Sequence, residues 1–342
     1  MYSPGLHFLL SVDISAFRAP LRATPPAPLK ASSHLIERLT ATPPSLSSVS
    51  RASSSDVGLE VNTTKKLLCH TFRGRLGNEL FQYSSTMGLA LTLNRTPVFL
   101  GSKYLPTVLK TFFVPQANFT QLRLRCARAR TAVEASPSRY DERLTRLNSR
   151  YDFKVVQYLA SYRYFEKHEA HIRKALTFSD AIRNKSEQFV RHLRQKYNSS
   201  TTFVGFHLRR GDTARKHMRK LGYPLATPEH ANRSVAFFEK RYPNCVFVVA
   251  SDDLPWWREH FPRGHKVVFV SGKPRNHPAV DMLILASMDH TAISFGTFAW
   301  WVGYLNNGTT TYMKDFIIPN TFIGRSYLPG GKGYIYPGWI PV

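Results

Sequence analysis

The nine residues Val204-Gly-Phe-His-Leu-Arg-Arg-Gly-Asp212 bring together side chains suited to an anion. Arginine offers a planar, permanently charged fork that matches a phosphate. Arg209 and Arg210 close an apolar run that reads as a strand, and a glycine turn follows. Consecutive strand residues face opposite ways, so the pair serves one site only where the strand is ending. Asp212 can orient an arginine or His207, or take a proton. Arg-Gly-Asp is also an adhesion signal, but three residues recur by chance and that reading is set aside.

Three other segments have the same character. In Phe72-Arg-Gly-Arg-Leu-Gly-Asn-Glu-Leu-Phe-Gln-Tyr83 a strand ends in a turn and enters a helix. Gly74 and Gly77 let the backbone approach a ligand, and Asn78 opens the helix. Helix N-terminal N–H groups attract an anion, and Arg73 and Arg75 flank the turn. An ordinary strand–turn–helix junction with an Asn cap fits the pattern equally well. The segment is neither G-x-G-x-x-G nor a P-loop. In Val249-Ala-Ser-Asp-Asp-Leu-Pro-Trp-Trp257, Asp252 and Asp253 follow a strand. They suit a ribose, a base or a metal, and capping is the commoner use for one of them. In Asp281 to Tyr304 a helix, a strand, a tight turn and a helix succeed one another. The Ser294-Phe-Gly-Thr297 turn presents hydroxyls and N–H groups at a helix start, a second anion cradle. Trp300 and Trp301 read as core or as an acceptor platform. Asp281 reads as a cap or a base-recognition group.

The elements that must position these motifs alternate from Lys66 onward. Strands are expected at 67–72, 97–100, 203–208, 246–250, 267–270, 291–295 and 309–313. Helices are expected at 79–93, 165–176, 181–197, 228–241, 279–288 and 297–305, with Thr227 as N-cap and Pro228 at the first helical position of the fourth. Residues 101–150 read as irregular and basic, with short helices. Continuous apolar strands alternating with helices specify a parallel sheet covered on both faces. Ligands of such sheets bind beyond the C-terminal strand ends, where the four motifs lie.

Composition narrows the classes. Of 342 residues, 47 are Lys or Arg and 22 are Asp or Glu, a formal net charge of +25. Hydrophobic residues make up 43%, enough for one large domain or two lobes, which excludes general disorder, collagen and coiled coil. The charge suits nucleic acid, an anionic membrane surface or a phosphorylated small substrate. A nucleic-acid binder would interleave its basic residues with exposed aromatics in a recognisable module, and neither feature is found. The arginines of residues 121–150 read as a solvated basic face. Cys69, Cys126 and Cys245 show no zinc spacing. Buried free thiols are expected for Cys69 and Cys245; one disulfide with one leftover thiol is the alternative in a secretory setting.

No run of 18 apolar residues is present, so no ordinary transmembrane helix is encoded. Residues 1–62 are rich in Ser, Ala, Pro and Thr and read as a disordered stem or tail. A weaker reading is an organellar transit peptide. Sequons at Asn62, Asn94, Asn118, Asn184, Asn198, Asn232 and Asn307 favour the secretory pathway. Asn94 directly follows a helical pattern and is expected to be inaccessible.

Taken together and in order, the four motifs resemble the α1,2-fucosyltransferases of glycosyltransferase family 11. The resemblance covers about 66–316, with Arg-Leu-Gly-Asn at 75–78, His-x-Arg-Arg-Gly-Asp at 207–212, Ser-Asp-Asp at 251–253, and Asp281 through Trp301. It implies an α/β, GT-B-like fold with a Rossmann-like parallel-sheet donor lobe. The catalytic domain would be 63–342, with an acceptor-side lobe at 63–200 and a donor-binding lobe at 201–342. The implied reaction is inverting transfer of fucose from GDP-β-L-fucose to the 2-hydroxyl of a terminal β-galactose, with no metal or other cofactor. GDP-fucose and β-galactoside glycans are the implied partners, and the Golgi membrane, with a lumenal catalytic domain, the implied location. By the same resemblance Arg209 faces the donor diphosphate. The donor site would include Arg75, Gly77, Asn78, His207, Arg209, Arg210, Asp252, Asp281, Ser294, Thr297 and Phe298. Arg209 and Asp212 are the catalytic candidates. Glu79 departs from the Gln common among relatives, a change of charge expected to alter donor or acceptor contacts. A fucosyltransferase of another acceptor linkage and an inactive GDP-sugar-binding relative are the alternatives.

Overall fold

The computed structural model describes residues 64–112, 119–270 and 276–342. The stem at 1–62 and the sequons at Asn62 and Asn118 lie outside them.

The first half builds one small parallel sheet. Its elements are β1 (Leu67–Thr71), α1 (Leu76–Thr92), β2 (Thr96–Leu100), α2 (Leu105–Val108), α3 (Phe119–Arg128), β3 (Arg130–Val133) and β4 (Phe153–Val156). The strand order is β2-β1-β4-β3, all pairs parallel. Residues 101–150, expected to be irregular with short helices, contain among the described residues the short helices α2 and α3, as expected, and an edge strand that was not. Arg130-Thr-Ala-Val133 faces largely outward, so it carries neither the apolar run nor the alternation by which a strand is read. The basic cluster here is partly anchored. Arg125 grips Asp152 with two bonds of 2.9 Å, and Arg139 donates to the Tyr327 carbonyl at 3.0 Å.

Cys69 on β1 is disulfide-bonded to Cys126 on α3, and Cys245 is buried and free. The expectation of a free thiol at Cys69 is thereby corrected. The two residues stand 57 positions apart, and only the seating of α3 on the outer face of β1 makes them neighbours.

Next come α4 (Glu169–Ala175) and α5 (Asp180–Lys196). The helix expected at 165–176 begins only at Glu169, because 162–164 and 166–168 are tight 3-10 turns.

The second half builds a larger sheet. Its elements are β5 (Thr202–His207), α6 (Lys216–Leu221), α7 (Pro228–Glu239), β6 (Cys245–Ala250), α8 (Leu254–His260), β7 (Val267–Phe269), α9 (Pro278–Ala286), β8 (His290–Ile293), α10 (Thr297–Leu305), β9 (Thr310–Tyr312) and β10 (Ile340–Pro341). The order is β10-β9-β8-β5-β6-β7, again all parallel. Thr227 caps α7, its hydroxyl accepting from the His230 N–H. Short α6 and two-residue β10 left no periodic signal.

Connectivity creates the site. From β5 the chain moves outward to β6 and β7, then returns to place β8 on the other side of β5. The crevice at such a reversal is where open parallel sheets bind ligands. The first sheet reverses in the same way around β1, which leads into the Arg73–Arg75 turn.

α1 is buried along most of its length and lies against both its own sheet and α10. One apolar core consequently runs through both sheets. Phe81 meets Trp300 and Trp301 at ring distances of 4.5 and 5.1 Å. The Trp301 indole N–H donates to the Gly77 carbonyl at 3.0 Å. The tryptophans are therefore core, and burying each such ring is worth roughly 1.5–3 kcal/mol.

Candidate active site

The four motifs meet at the C-terminal ends of β5 and β1. Where β5 runs out, the Arg209 N–H donates to Ser294 Oγ at 2.9 Å, and the Ser294 N–H donates to the His207 carbonyl at 3.0 Å. This stitch joins the second motif to the fourth just past the β5–β8 ladder.

The two arginines, just past the end of β5, diverge. Arg209 turns toward the first sheet, where its Nε and Nη2 donate to the two carboxylate oxygens of Asp212, both at 2.9 Å. Arg75, from the turn before α1, donates to Asp212 at 3.0 Å. Its side chain is 74% exposed, so this bond adds little stability. Arg210 turns the other way and lies flat on Trp256, with Cζ 3.3 Å from the ring centroid. Burial opposes ionisation of Asp212, but its bonds to Arg209 and the charges of Arg209 and Arg75 outweigh this and hold its carboxyl below the usual range.

Asp252 shapes the turn from beneath. Its carboxylate accepts from the N–H groups of Arg210 at 2.8 Å, Gly211 at 3.0 Å and Asp212 at 3.3 Å. Asp253 occupies the N-cap position of α8 but makes no side-chain capping bond. The expected helix cap from this acidic pair is thus corrected: one carboxylate folds the arginine turn instead. Burial opposes ionisation of Asp252 too, but these N–H groups outweigh it and hold its carboxyl below the usual range.

α10 completes the cradle. Gly296, at its N-cap, has φ 109°. That backbone conformation favours glycine, and a Cβ there would stand 2.8 Å from Nη1 of Arg209 and push the guanidinium aside. The Thr297 hydroxyl donates to Asn78 Oδ1 at 2.9 Å. A Cβ on Gly77 would stand 2.5 Å from the Phe298 nitrogen. Gly77 thus serves the close approach of α1 and α10. The expectation that Asn78 caps α1 is corrected: Arg75 holds the N-cap position, and Asn78 sits inside the helix, bonded to Thr297 of α10.

His207 is buried and its ring lies 4.8 Å from that of Phe298. Its Nδ1 has no hydrogen-bond partner among the described residues. Burial lowers its pKa to about 4, against the pull of Asp252, so the ring is neutral near pH 7.

Two further expected residues are held by neighbouring protein groups. Asp281 is on the first turn of α9, where Asn276 donates to it at 2.9 Å. Glu79 is buried and accepts from Ser102 Oγ at 2.8 Å and from the N–H groups of Lys103 and Tyr104, both at 3.0 Å. These bonds hold the loop before α2. Two aromatics were not anticipated. Trp256 lies under Arg210, and the Tyr223 ring faces Arg209 at 5.6 Å. Tyr223 lies well beyond the motif, and nothing in its neighbours marks it.

What results is an always-charged guanidinium beside a helix N-terminus, in a crevice closed by a threonine, an asparagine and a neutral imidazole. That arrangement suits an anion such as a phosphate.

The sequence profile of glycosyl transferase family 11 matches residues 48–330. The chain is 27% identical over 274 residues to the galactoside 2-alpha-L-fucosyltransferase SEC1 of Bos taurus, covering 79% of this chain and 72% of that one. It is 27% identical over 277 residues to the galactoside alpha-(1,2)-fucosyltransferase 2 of Sus scrofa, covering 79% and 78%. Among solved structures it is similar to the fucosyltransferase NodZ from Bradyrhizobium, with 16% identity, a TM-score of 0.46 and coverage of 70% and 92%.

Proposed function

The chain belongs to glycosyl transferase family 11 and is a glycosyltransferase, and on that premise we propose that it is a galactoside 2-α-L-fucosyltransferase. The acceptor 2-hydroxyl oxygen bonds to C1 of fucose from the face opposite the leaving group and gives up its proton to water. The C1–O bond to the β-phosphate of GDP breaks, and the anomeric centre inverts. The names of its relatives supply the galactoside and the linkage; the site supplies the chemistry.

One observation carries the reading: Arg209 is fixed beside the first turn of α10. As the sugar becomes oxocarbenium-like, charge accumulates on the departing diphosphate and meets that guanidinium and those N–H groups. Ser294, Thr297, Phe298 and Asn78 wrap the diphosphate, while His207 contacts the donor as a neutral ring. Of the two roles open to Asp212, orientation of Arg209 fits best. Its carboxylate serves two arginines and its pKa is depressed, which makes it a weak base. Residues 63–200 form the acceptor-side lobe and 201–342 the donor-binding lobe, with the acceptor lying between the two.

We place the catalytic domain in the lumen of the Golgi. A disulfide between Cys69 and Cys126 belongs to an oxidising compartment, and Asn94, Asn198 and Asn307 are exposed sequons. Exposure of Asn94 corrects the expectation that it is inaccessible. Among the described residues no helix is long and apolar enough to cross a membrane.

The test is transfer of labelled fucose from GDP-fucose to terminal β-galactosides by the chain expressed through a secretory pathway, with Arg209→Ala alongside. Product released by an α1,2-specific fucosidase and absent in the variant establishes the reaction. GDP binding without transfer to any galactoside would overturn it in favour of an inactive relative.

A further inference from the structure

Between Asp212 and Tyr223 the chain makes an excursion that starts and ends on Arg209. Asp212 holds that guanidinium at 2.9 Å, and the Tyr223 ring faces it at 5.6 Å. The excursion, Thr213 to Gly222, contains Arg215, Lys216, His217, Arg219 and Lys220 and no acid. All five side chains are exposed, and none forms an ion pair among the described residues. The acids nearby are engaged elsewhere: Asp212 by Arg209 and Arg75, Asp252 by backbone N–H groups, and Asp253 lies 4.0 Å from Arg210.

The helix works against itself. Arg215 with Arg219, and Lys216 with Lys220, are like charges four positions apart, which repel across one turn. Arg215 and Lys216 also sit at the positive end of α6. Arg219 adds to the charge that bears on Arg210. Beside this cluster lies an exposed aromatic. The Ile323 N–H donates to the Leu221 carbonyl at 2.9 Å, which sets the neighbouring Phe322 next to the C-terminus of α6 with 72% of it exposed. A ring face beside unpaired cations complements a sugar ring that bears a negative charge.

We infer that the 213–222 excursion, with Phe322, is a subsite for an anionic glycan acceptor, a galactoside whose penultimate sugar carries a sulfate or a carboxylate. The inference rests on the transfer reading above, because what binds here lies beside Arg209, where that reaction needs its acceptor. The cations pair with the anion, and Phe322 packs on the apolar face of the sugar.

The experiment uses the full chain with GDP present. Binding of a β-galactosyl disaccharide is measured by calorimetry in three forms: neutral, sulfated, and with a uronic acid as penultimate sugar. Lys216→Gln/Lys220→Gln and Phe322→Ser are compared with the charge-matched surface control Lys240→Gln/Lys266→Gln. At least one anionic form should bind roughly tenfold tighter than the neutral one at low salt, and the lysine variant should bring that ratio near unity. Whichever of the two is preferred identifies the anion. Phe322→Ser should weaken all three, and the control should keep the preference. Equal binding of all three forms by the unaltered chain would overturn the inference. So would a preference that survives the lysine variant, or a variant effect confined to the KM for GDP-fucose. Loss of binding to phosphatidylserine vesicles without any glycan preference would assign the patch to a membrane and also overturn it. A lysine-dependent preference with no fucose transfer would keep the subsite and sink the transfer reading.

Discussion

Asn78 and Thr297, 219 residues apart in the chain, are joined side chain to side chain at 2.9 Å. This bond ties the start of α1 to the start of α10, so the two sheets present their turns to one crevice. Asn78→Ala and Thr297→Val should each weaken GDP binding. A double-mutant cycle should show coupling of about 0.5–3 kcal/mol, and strict additivity would mean that the contact positions nothing.

Arg209→Lys keeps the charge but loses the fork that holds Asp212. It should lower kcat/KM about 10²- to 10³-fold, the usual cost of removing one preorganised donor to a developing anion. A variant within a few-fold of the parent would displace Arg209 from the reaction.

Asp212→Asn separates orientation from proton removal. An orienting residue predicts a loss of roughly tenfold with the acidic limb of the pH–rate profile unmoved. Loss of that limb, with a drop of about 10²- to 10⁴-fold, would make Asp212 the base after all.

Removing the Cys69–Cys126 bond with a double Ser variant reopens a loop of 57 residues. Chain entropy predicts destabilisation of about 4 kcal/mol in urea. Fucose transfer below the unfolding transition should persist, since the bond lies on the outer side of β1. A midpoint that does not move would count against the bond.

Burial lowers His70 to about 4, His207 to about 4 and His230 to about 3, from an ordinary 6.5. The unfolded chain takes up these protons near pH 6.5, and the folded chain takes them up only near 4 or below. Their contribution is therefore complete above pH 6.5 and declines as pH falls toward 4. Each should cost about 1.4 kcal/mol per pH unit in that window. Urea midpoints at pH 7.5 and 5.5 measure the decline, and His230→Leu should remove about a third of it. Equal stability at both values would refute the buried neutral state.

The sequence by itself determined the parallel α/β class, most strand positions of the second half, and the motifs that carry the chemistry. Those features are local. An apolar run such as Cys245-Val-Phe-Val-Val-Ala250 can be little else than a buried strand, and arginines at its neighbour's end announce an anion without reference to anything distant. Short or exposed elements such as β3 and α6 escaped because their burial is too slight to leave a period. Only the tertiary structure decided what each polar group does. It gave Asn78 to Thr297, spent Glu79 on the loop before α2, bent Asp252 under the arginine turn, and joined Cys69 to Cys126. It also set Arg210 on Trp256 and brought Tyr223 to Arg209. Each outcome depends on which segments become neighbours across long stretches of chain, and residue type and spacing do not encode that proximity. The physical reason is reach: a hydrogen bond or an ion pair is formed over about 3 Å, so its partner is chosen by packing, after the sheets, α1 and α10 have found their places.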